Sequence, residues 1–354
     1  MNKKIKNYTL LYCFSLLCLG LTAQSINSLK AHYSGKISWN KAERTLIFQQ
    51  SGQIDFPKRK DYHNYRWDVP KEVYRILIER NVQVTGFFHL FHDILIEGEE
   101  RSSSVIYGTA EPGLLRKAGL DRVGSRSVPY STLYAKGDIV VQVRNLTVLN
   151  PFSFMFTGKA DAVGHAAVFH LYQVSGIDNR GGHSNHSDGV SAGRGTTVRD
   201  CYFECGDDVF KVYQDIYVEN TTIKMITNTV PIQLGWHNST SNAVGVFRNL
   251  TILGNKGRRP TGNAIINARN GHYNKTLLFD GLKVENPNAT LLDLWNNDHQ
   301  GVKGGGHLTI RMDNVDLEYA NFKKRWNMEV DLEICGHEIM AEENRTKLNC
   351  DSIE

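Results

Sequence analysis

Three aspartates are the residues of this sequence best suited to acid–base chemistry. Asp188 lies in the segment His-Ser-Asp-Gly, and Asp207 and Asp208 lie in Cys-Gly-Asp-Asp-Val. Carboxylates held close together cannot all ionise freely, so mutual repulsion raises the pKa of at least one of them. Such a cluster supplies a protonated carboxyl beside an ionised one, the pair that glycosidic cleavage requires. Two other interpretations remain open, because Asp-Gly is a common turn dipeptide and adjacent carboxylates can bind calcium.

A recurring short pattern indicates which elements position these aspartates. Each copy begins and ends with an apolar residue, and most carry Asn, Asp or Gly near the centre. The copies are residues 143–148, 172–177, 198–203, 218–223, 247–252, 279–284 and 312–317, with successive starts 20 to 33 residues apart. Helical periodicity is weak, whereas runs rich in Val, Ile, Thr and aromatic residues between Gly, Asn and Asp clusters are typical of strands.

This spacing predicts an all-β fold, a right-handed parallel β-helix with short strands or a cap at its N-terminal end. One coil cannot bury its apolar face alone, so coils stack and share a continuous core. A β-sandwich is the competing fold, but its strands usually recur every 8–12 residues or so. Neighbouring strands lie about 4.8 Å apart, so carboxylates on consecutive coils come within reach of one another. An Asn at the same corner of successive coils is expected to satisfy backbone groups of its neighbours.

The N-terminal residues and the composition predict an exported protein. A basic start is followed by an apolar run over residues 10–21 and a small-residue cleavage site ending at Ala23, which is typical of a secretory signal peptide. The division is therefore 1–23 signal peptide, 24–65 N-terminal strands or cap, and 66–354 catalytic β-helix. Secretion or a periplasmic location, no membrane span and a monomer are expected. The net charge of +4 gives no indication of a nucleic-acid partner.

Four cysteines follow the signal segment: Cys201, Cys205, Cys335 and Cys350. Export permits disulfides, and a bond between Cys335 and Cys350 would close a C-terminal loop. Cys201 and Cys205 either pair across a turn or remain buried thiols. No Cys/His spacing resembles a zinc site, and no metal ligand is assigned among the predicted site residues.

Three motifs in order resemble glycoside hydrolase family 49, the family of dextranases and isopullulanases. They are Asp188-Gly, then Gly-Asp207-Asp208 followed by Lys211-Val-Tyr213, then Gln233-Leu-Gly-Trp236 after a short apolar strand. The 19-residue interval between Asp188 and Asp207 fits the spacing of that family. The resemblance covers roughly residues 65–300. The Arg-x-Lys uronate site of the related polygalacturonases is not evident.

The resemblance implies an inverting hydrolase of an α-linked polysaccharide, with a dextran- or pullulan-like α-glucan favoured and no cofactor. Asp207 is then the general acid, while Asp188 and Asp208 hold and deprotonate the attacking water. Lys211 and Tyr213 line the subsites, although a solvated strand charge and a core aromatic are the simpler interpretations of these two residues.

Further residues are candidates for binding sugar. Trp236 could serve as an aromatic platform or pack in the core, and Gln233 and His237 flank it. Asn267 and Arg269 lie at loop-like positions in later coils, together with Asn270, Trp295, Asn297 and Asp298. His183 and His186 precede Asp188 in a glycine–serine loop. Exposed loop histidines are the favoured interpretation, and a site histidine is the alternative.

Three alternatives to an α-glucan hydrolase stay open. A hydrolase of a sulfated glycan would use Arg258, Arg259 and Arg269 as anion contacts. A polysaccharide lyase would usually need calcium and a basic proton abstractor. A non-catalytic glycan-binding β-helix would tolerate Asp207→Asn without functional loss.

Overall fold

The computed structural model describes most of the chain. The described ranges are 25–57, 59–120, 128–159, 167–181, 186–226, 228–235, 242–254, 264–285, 290–298, 301–323, 326–340 and 345–351. The predicted signal segment, 1–23, lies outside them, as do His183, Trp236, His237, Arg258 and Arg259.

Strands form almost all of the regular secondary structure within the described residues. In chain order the first are β1 (Ile37–Asn40), β2 (Thr45–Phe48), β3 (Gly52–Gln53), β4 (Arg66–Asp68), β5 (Arg75–Ile78), β6 (Gln83–Thr85), β7 (Phe87–Leu90), β8 (Ile94–Gly98), β9 (Val105–Tyr107) and β10 (Leu133–Lys136). The next are β11 (Val140–Arg144), β12 (Thr147–Leu149), β13 (Phe156–Lys159), β14 (Val168–Tyr172), β15 (Ser175–Ile177), β16 (Val190–Ser191), β17 (Thr196–Arg199), β18 (Tyr202–Glu204), β19 (Asp208–Lys211) and β20 (Ile216–Lys224). The last are β21 (Val230–Gln233), β22 (Ala243–Leu253), β23 (Ala264–Ala268), β24 (His272–Glu285), β25 (Thr290–Leu294), β26 (Gly305–Asp313), β27 (Asp316–Lys323), β28 (Glu329–Ile334), β29 (His337–Glu338) and β30 (Arg345–Asn349). Two α-helices, α1 (Ile26–His32) and α2 (Leu114–Lys117), and two short 3₁₀ helices, His63–Tyr65 and Val128–Tyr130, accompany them.

The strands stack into three parallel faces, which confirms the predicted parallel β-helix. Face A runs through β4, β7, β10, β13, β16, β19, β21, β23, β25 and the end of β27. Face B runs through β2, β5, β8, β11, β14 and β17 into the first halves of β20, β22 and β24, then β26 and β28. Face C runs through β3, β6, β9, β12, β15 and β18 into the second halves of β20, β22 and β24.

Apolar residues at matching positions of successive coils build the core. On face A, register pairs link Trp67, Phe88, Leu133, Phe156, Val190, Phe210, Ile232, Ile266, Leu292 and Phe322. These side chains are at most 1% exposed. Since successive residues of a strand point to opposite faces, their C-terminal neighbours lie on the outer side of face A.

Those outer neighbours are polar over the second half of the solenoid. Register pairs join Lys211, Gln233, Asn267, Asp293 and Lys323 in one line, which we call the polar row. Gln233, Asn267 and Asp293 within it are no more than 1% exposed. Buried polar side chains outside the apolar core need hydrogen-bond partners, and the predicted aspartate cluster lies at the start of this row.

The recurring sequence pattern corresponds to the corner between faces B and C. Its central residues have positive φ in successive coils: Asn145, Gln173, Asp200, Asn220, Asn249, Gly281 and Asn314. Asn and Gly adopt this left-handed conformation with the least strain. Asn145 Nδ2 donates to the carbonyls of Gly98 (2.9 Å) and Glu99 (2.8 Å), as expected, whereas Asn249 Nδ2 donates to the side chain of Asn220 (2.9 Å).

The second copy of the pattern is displaced by one residue from its predicted register. Val143 pairs with Leu171, and Val148 pairs with Gly176, so the inward residues are not Tyr172 and Ile177. Tyr172 is 47% exposed. Gly176 occupies the inward position because a Cβ there would lie 2.5 Å from Met155 Sδ and 2.8 Å from the Phe203 ring.

The N-terminal segment combines a helix with strands. Ile26 and Leu29 of α1 are buried in the core, so the helix covers the first coil. Strands β1 and β2 form an antiparallel hairpin, while β2 already pairs in parallel with β5. Parallel stacking therefore begins within residues 24–65; the division at residue 66 stays a prediction.

The C-terminal end is closed by antiparallel pairing and a disulfide. β30 pairs with β27, and β29 pairs with β28. Cys335 and Cys350 form the predicted disulfide, with Cα atoms 5.4 Å apart. Cys201 and Cys205 are free and buried, which decides between the two alternatives. Within the described ranges there is no helix with the length and apolarity needed to cross a bilayer.

Candidate active site

Asp188, Asp207 and Asp208 meet at one point on face A. Asp188 precedes β16 and Asp207 precedes β19, so consecutive coils present them side by side. The Gly189 amide donates to the Asp208 carbonyl (2.8 Å). A Cβ at Gly189 would lie 2.5 Å from the Val209 carbonyl oxygen. Glycine therefore follows Asp188 because the two coils approach too closely there for any side chain.

Each of the three aspartates offers a carboxylate oxygen, and these oxygens lie within 4.8 Å of one another. Asp188 and Asp208 are each 4% exposed, whereas the Asp207 side chain is 19% exposed. The predicted convergence of the trio is thus present, with Asp207 as its most accessible member.

Lys211 balances the charge of the two buried carboxyls. Its Nζ contacts Asp188 Oδ2 and lies 3.5 Å from Asp208 Oδ2. The Phe154 ring centroid is 4.7 Å from the same nitrogen, a cation–π contact. Burial acts to lower the pKa of Lys211, but the combined effect of Asp188, Tyr213 and Asp208 is larger, so the pKa lies well above its usual value. Lys211 is therefore a cation at any physiological pH.

The site retains a proton that isolated aspartates would lose. Burial raises the pKa of Asp188 to about 8, against the opposing charge of Lys211. Burial and the Asp207 charge raise the pKa of Asp208 to about 6, again against Lys211. A protonated carboxyl and an ionised carboxyl can therefore coexist between about pH 6 and pH 8, as general acid–base catalysis requires.

Asp207 is held by hydrogen bonds to both of its oxygens. Asn228 Nδ2 donates to Oδ1 (3.0 Å), and His186 Nδ1 lies 2.7 Å from Oδ2. On its other side, the His186 ring contacts Arg116 of α2 through Nε2 (3.1 Å). These contacts fix the plane of the Asp207 carboxyl from opposite sides.

A buried network behind the aspartates holds the two coils in register. Ser187 Oγ accepts a hydrogen bond from the Gly206 amide (2.6 Å), and the Ser187 side chain also bonds the Asp178 carboxyl. Asp178 is paired with Arg180 (2.6 Å), and both side chains are at most 5% exposed. Ser187 thereby ties the turn before Asp188 to the turn before Asp207.

Gln233 and Asn267 reach the site through Asp208. Gln233 Nε2 lies 3.5 Å from Asp208 Oδ1 and 3.4 Å from Asn267 Oδ1, and Gln233 Oε1 accepts from the Gly235 amide (3.1 Å). Both side chains are 1% exposed. This burial favours a role in orienting Asp208; their predicted contact with sugar stays a prediction.

The other candidate binding residues lie around this centre. Tyr213 follows Lys211 in the turn after β19, and burial raises the pKa of its hydroxyl to about 12. Arg269 stacks on Trp295, with its guanidinium carbon 4.0 Å from the ring centroid. Trp295 is 41% exposed, so it offers an aromatic surface further along face A. The predicted platform Trp236 and its neighbour His237 fall outside the described residues.

The trio has the donor types of a cation site, since hard cations prefer carboxylate oxygens. However, the Lys211 ammonium already lies against Asp188 and Asp208 and supplies the positive charge that a cation would bring. A second cation beside it would meet electrostatic repulsion. The geometry therefore favours acid–base chemistry at this cluster.

Sequence reasoning assigned no role to several residues of the site. The sequence favours an exposed loop position for His186, and no motif marks Asn228, Arg116 or Phe154. Asn228 follows Asp207 by 21 residues, the length of one coil, and this spacing is the signal that could have found it. Arg116 comes from α2, 70 residues before His186, and the sequence carries no mark of that contact.

Comparison with known proteins supports the resemblance. The dextranases of Arthrobacter sp. (strain CB-8) and Arthrobacter globiformis are each 22% identical to the chain over 260 residues, covering 65% of this chain and 40% of theirs. Dex49A from Penicillium minioluteum superposes with a TM-score of 0.50 at 15% identity, covering 85% of this chain and 61% of that chain. The chain has a dextranase-like fold.

This agreement confirms the predicted fold, which was inferred from the repeat, and the separately stated resemblance. No family model matches the chain. The chain spans about two fifths of the length of the curated relatives that it matches.

Proposed function

We propose that the chain is a glycoside hydrolase that cleaves an α-linked polysaccharide, with a dextran-like α-glucan as the favoured substrate. The observation that carries this proposal is the convergence of three aspartates within 4.8 Å. The raised pKa values of Asp188 and Asp208 add to it. Similarity to Arthrobacter dextranases makes an α-glucan the first substrate to test.

The roles of the three aspartates follow from their accessibility. Asp207, the most exposed, is placed to donate a proton to the leaving glycosidic oxygen. Asp208 and Asp188 lie deeper, and their two carboxyls converge on Lys211, so together they can hold a water molecule. Asp208, whose pKa is about 6, is the one that takes the proton of that water. Lys211 keeps enough positive charge beside them for one carboxyl to remain ionised.

Sugar binding is proposed along the outer side of face A. Trp295, stacked with Arg269, offers an apolar face to a pyranose ring, and Tyr213 is a candidate closer to the trio. Trp236 remains a candidate from the sequence alone. Arg269 would be one anion contact if the substrate carried sulfate groups, and a sulfated glycan is therefore the second substrate class to test.

The first experiment is reducing-sugar release from dextran, pullulan, starch, carrageenans and polygalacturonate, with wild type and Asp207→Asn side by side. We expect hydrolysis of an α-glucan and a loss of about 10²- to 10⁴-fold in the variant, the usual contribution of general acid–base catalysis. Ultraviolet absorbance is followed in parallel because a lyase would create an unsaturated product. A rise in ultraviolet absorbance would show that the enzyme is a lyase that cleaves by elimination. Equal glycan binding by wild type and Asp207→Asn, with no turnover by either, would favour a non-catalytic binding module.

The stereochemical outcome needs its own measurement. We propose inversion, in which Asp188 and Asp208 activate water on the face of the sugar opposite to Asp207. The carboxyl groups of inverting enzymes usually lie about 6.5–9.5 Å apart, and those of retaining enzymes about 5–5.5 Å. The oxygens here lie within 4.8 Å of one another, so a covalent intermediate on Asp188 or Asp208 is the rival mechanism. Proton NMR of the first-formed anomer decides: an α-linked substrate gives the β-anomer on inversion and the α-anomer on retention.

Export by the N-terminal signal segment, action outside the cytoplasm and a monomeric state are part of the proposal. They rest on the sequence of residues 1–23 and on the polymeric substrate. Comparison of the secreted and cellular fractions of a producing culture tests the first of them, and light scattering of the purified protein tests the monomer.

A further inference from the structure

The imidazole of His186 lies between the accessible carboxyl of the trio and solvent. Nδ1 is 2.7 Å from Asp207 Oδ2, and Nε2 is 3.1 Å from Arg116 Nη1. The His186 side chain is 42% exposed, compared with 19% for Asp207. Asp188 and Asp208 are almost fully buried. His186 is thus the more open of the two groups at this point of the site.

Arg116 fixes which ring nitrogen of His186 carries the proton. A guanidinium has donors but no acceptor, so Nε2 must present its lone pair to Arg116. A neutral imidazole then carries its proton on Nδ1 and donates it to Asp207 Oδ2. Because Asn228 donates to the other oxygen, the orientation of the Asp207 carboxyl is set by His186 and Asn228 together.

The proposed reaction makes a demand on the most accessible of the three carboxyls. After Asp207 has given its proton to the leaving oxygen, it must regain one before the next turnover. The charged groups that face the imidazole are Asp207 and Asp188, which favour its protonation, and Arg116, which opposes it. The hydrogen bond to Asp207 raises the pKa of His186. The imidazole therefore takes up a second proton more readily than a free histidine does.

We propose that His186 is the positioning residue of Asp207, orienting its carboxyl and returning a proton to it after each turnover, an inference that rests on the proposed hydrolysis. When the Arg116 guanidinium leaves Nε2, a proton from solvent binds there. The Nδ1–H bond then breaks as an O–H bond forms on Asp207 Oδ2, which leaves neutral His186 protonated on Nε2 and a protonated Asp207. In the next cycle that O–H bond breaks as the leaving oxygen takes the proton. The ring then releases its Nε2 proton to solvent and takes up a solvent proton at Nδ1, which restores the tautomer that faces Arg116.

Two substitutions separate orientation from proton return. His186→Asn retains an amide near the position of Nδ1 but has no second nitrogen, whereas His186→Ala removes both functions. His170→Asn is the matched control, because His170 is a half-buried histidine whose Nδ1 contacts Thr197 rather than the trio.

On the substrate found in the polysaccharide panel, we expect kcat of His186→Asn to fall about tenfold, less than the loss for Asp207→Asn. The KM should stay within about twofold, the pH profile should change, and added imidazole should restore part of kcat. His186→Ala should lose more activity than His186→Asn. A His186→Asn enzyme with the kcat and pH profile of the His170→Asn control would overturn the proposal.

A second readout does not need turnover. Nitrogen-15 NMR of the histidine rings, with His186 assigned by its absence in His186→Asn, follows the tautomer and titration of this ring. We expect the Nδ1–H form in wild type and a lower His186 pKa in Asp207→Asn, because the carboxylate partner is lost. If no polysaccharide is cleaved, the hydrolase proposal fails while this titration still tests the contact. An unchanged His186 titration in Asp207→Asn would refute the inference on its own.

Discussion

At the scale of single residues, Lys211 sets the charge balance of the site. Its ammonium contacts Asp188 and lies near Asp208, and it lowers the pKa of both carboxyls against the effect of burial. Without that cation, two nearly inaccessible carboxyls beside Asp207 would both remain protonated at neutral pH. Lys211 is thus the residue that allows one of them to act as a base.

This charge balance predicts a bell-shaped pH dependence of kcat/KM. Activity should rise as Asp208 ionises near pH 6 and fall as the proton held at Asp188 is lost near pH 8. The three carboxyls share protons over short distances, so the retained proton is available to Asp207. In Lys211→Met both limbs should move to higher pH, by about one unit or more, because the cation that lowers both pKa values is gone.

Lys224→Met is the control for that experiment. Lys224 pairs with Glu204 on face C and is 44% exposed, so its removal should leave both limbs in place. If the pH profiles of wild type and Lys211→Met coincide, Lys211 does not set the pKa values of Asp188 and Asp208.

The same pKa shifts predict how stability varies with pH. The folded-state pKa of Asp188 is above the value for an unfolded chain, so the native state binds more protons between about pH 4 and pH 8 and stability falls as pH rises through that window. Lys211, whose pKa is raised, contributes stability that is lost only at higher pH. Asp188→Asn should therefore show a flatter dependence of the denaturation midpoint on pH between 5 and 8; a slope equal to that of wild type would contradict it.

At the scale of elements, the corner between faces B and C allows the strands to stack. One residue per coil takes a left-handed conformation there, and most of these residues are Asn, Asp or Gly. Gly281 has φ +83°, and a Cβ at that position would lie 2.8 Å from Asn249 Oδ1. The residue type at the corner is therefore determined mainly by the left-handed backbone conformation and only secondarily by side-chain hydrogen bonding.

Paired substitutions at one corner test that order. At Asn249, with φ 49°, replacement by Gly should leave the protein about 1 kcal/mol more stable than replacement by Ala, because Ala is strained in the left-handed region. At Thr251, within β22, Ala should be the more stable of the two, because Gly loses more backbone freedom in a strand. Denaturant unfolding measures both differences in stability. If Gly and Ala rank in the same order at Asn249 and at Thr251, backbone conformation does not determine the corner residue.

The elements also show what could be predicted from the sequence. The conformation of the corner residues follows from local preferences of Asn, Asp and Gly. The recurring pattern therefore predicted these corners and, through their spacing, the β-helix. The displaced second copy could not be resolved, because Leu171 and Tyr172 are both acceptable inward residues until Gly176 is seen against Met155 and Phe203.

The candidate site was predicted less completely than the fold. The three aspartates, Lys211 and Tyr213 were visible through motifs with fixed spacing. The contact between His186 and Arg116 joins residues 70 positions apart through α2, and no local preference records such a pairing. The burial of Gln233 and Asn267 also depends on what covers face A, which spacing alone does not reveal.

At the scale of the whole molecule, the two ends of the solenoid are closed differently. Helix α1 covers the first coil with apolar side chains, whereas the last coils carry antiparallel strands and the bond between Cys335 and Cys350. Solenoid stability is approximately a sum over neighbouring coils, so these closures determine how readily the ends open.

Reduction should therefore weaken the fold without stopping the chemistry. The disulfide spans 15 residues, and a loop of that length contributes about 3 kcal/mol. We expect a reducing agent to lower the denaturation midpoint of wild type and to leave that of a Cys335→Ser, Cys350→Ser double variant unchanged. Activity at 25 °C should be equal before and after reduction, and an immediate loss of turnover on reduction would contradict this expectation.

The position of the trio along the stack has a consequence for how long the protein survives. Strands β16 and β19 lie in the middle of face A, with several coils on either side. Coils at the ends fray first, and exposed ends are where proteases cut. Because each coil rests mainly on its immediate neighbours, attack from either end must remove outer coils one after another before it reaches the aspartates. The outer coils thus protect the aspartates from proteolysis. A molecule that has lost some outer coils would keep its three aspartates in place for as long as the remaining coils stay folded.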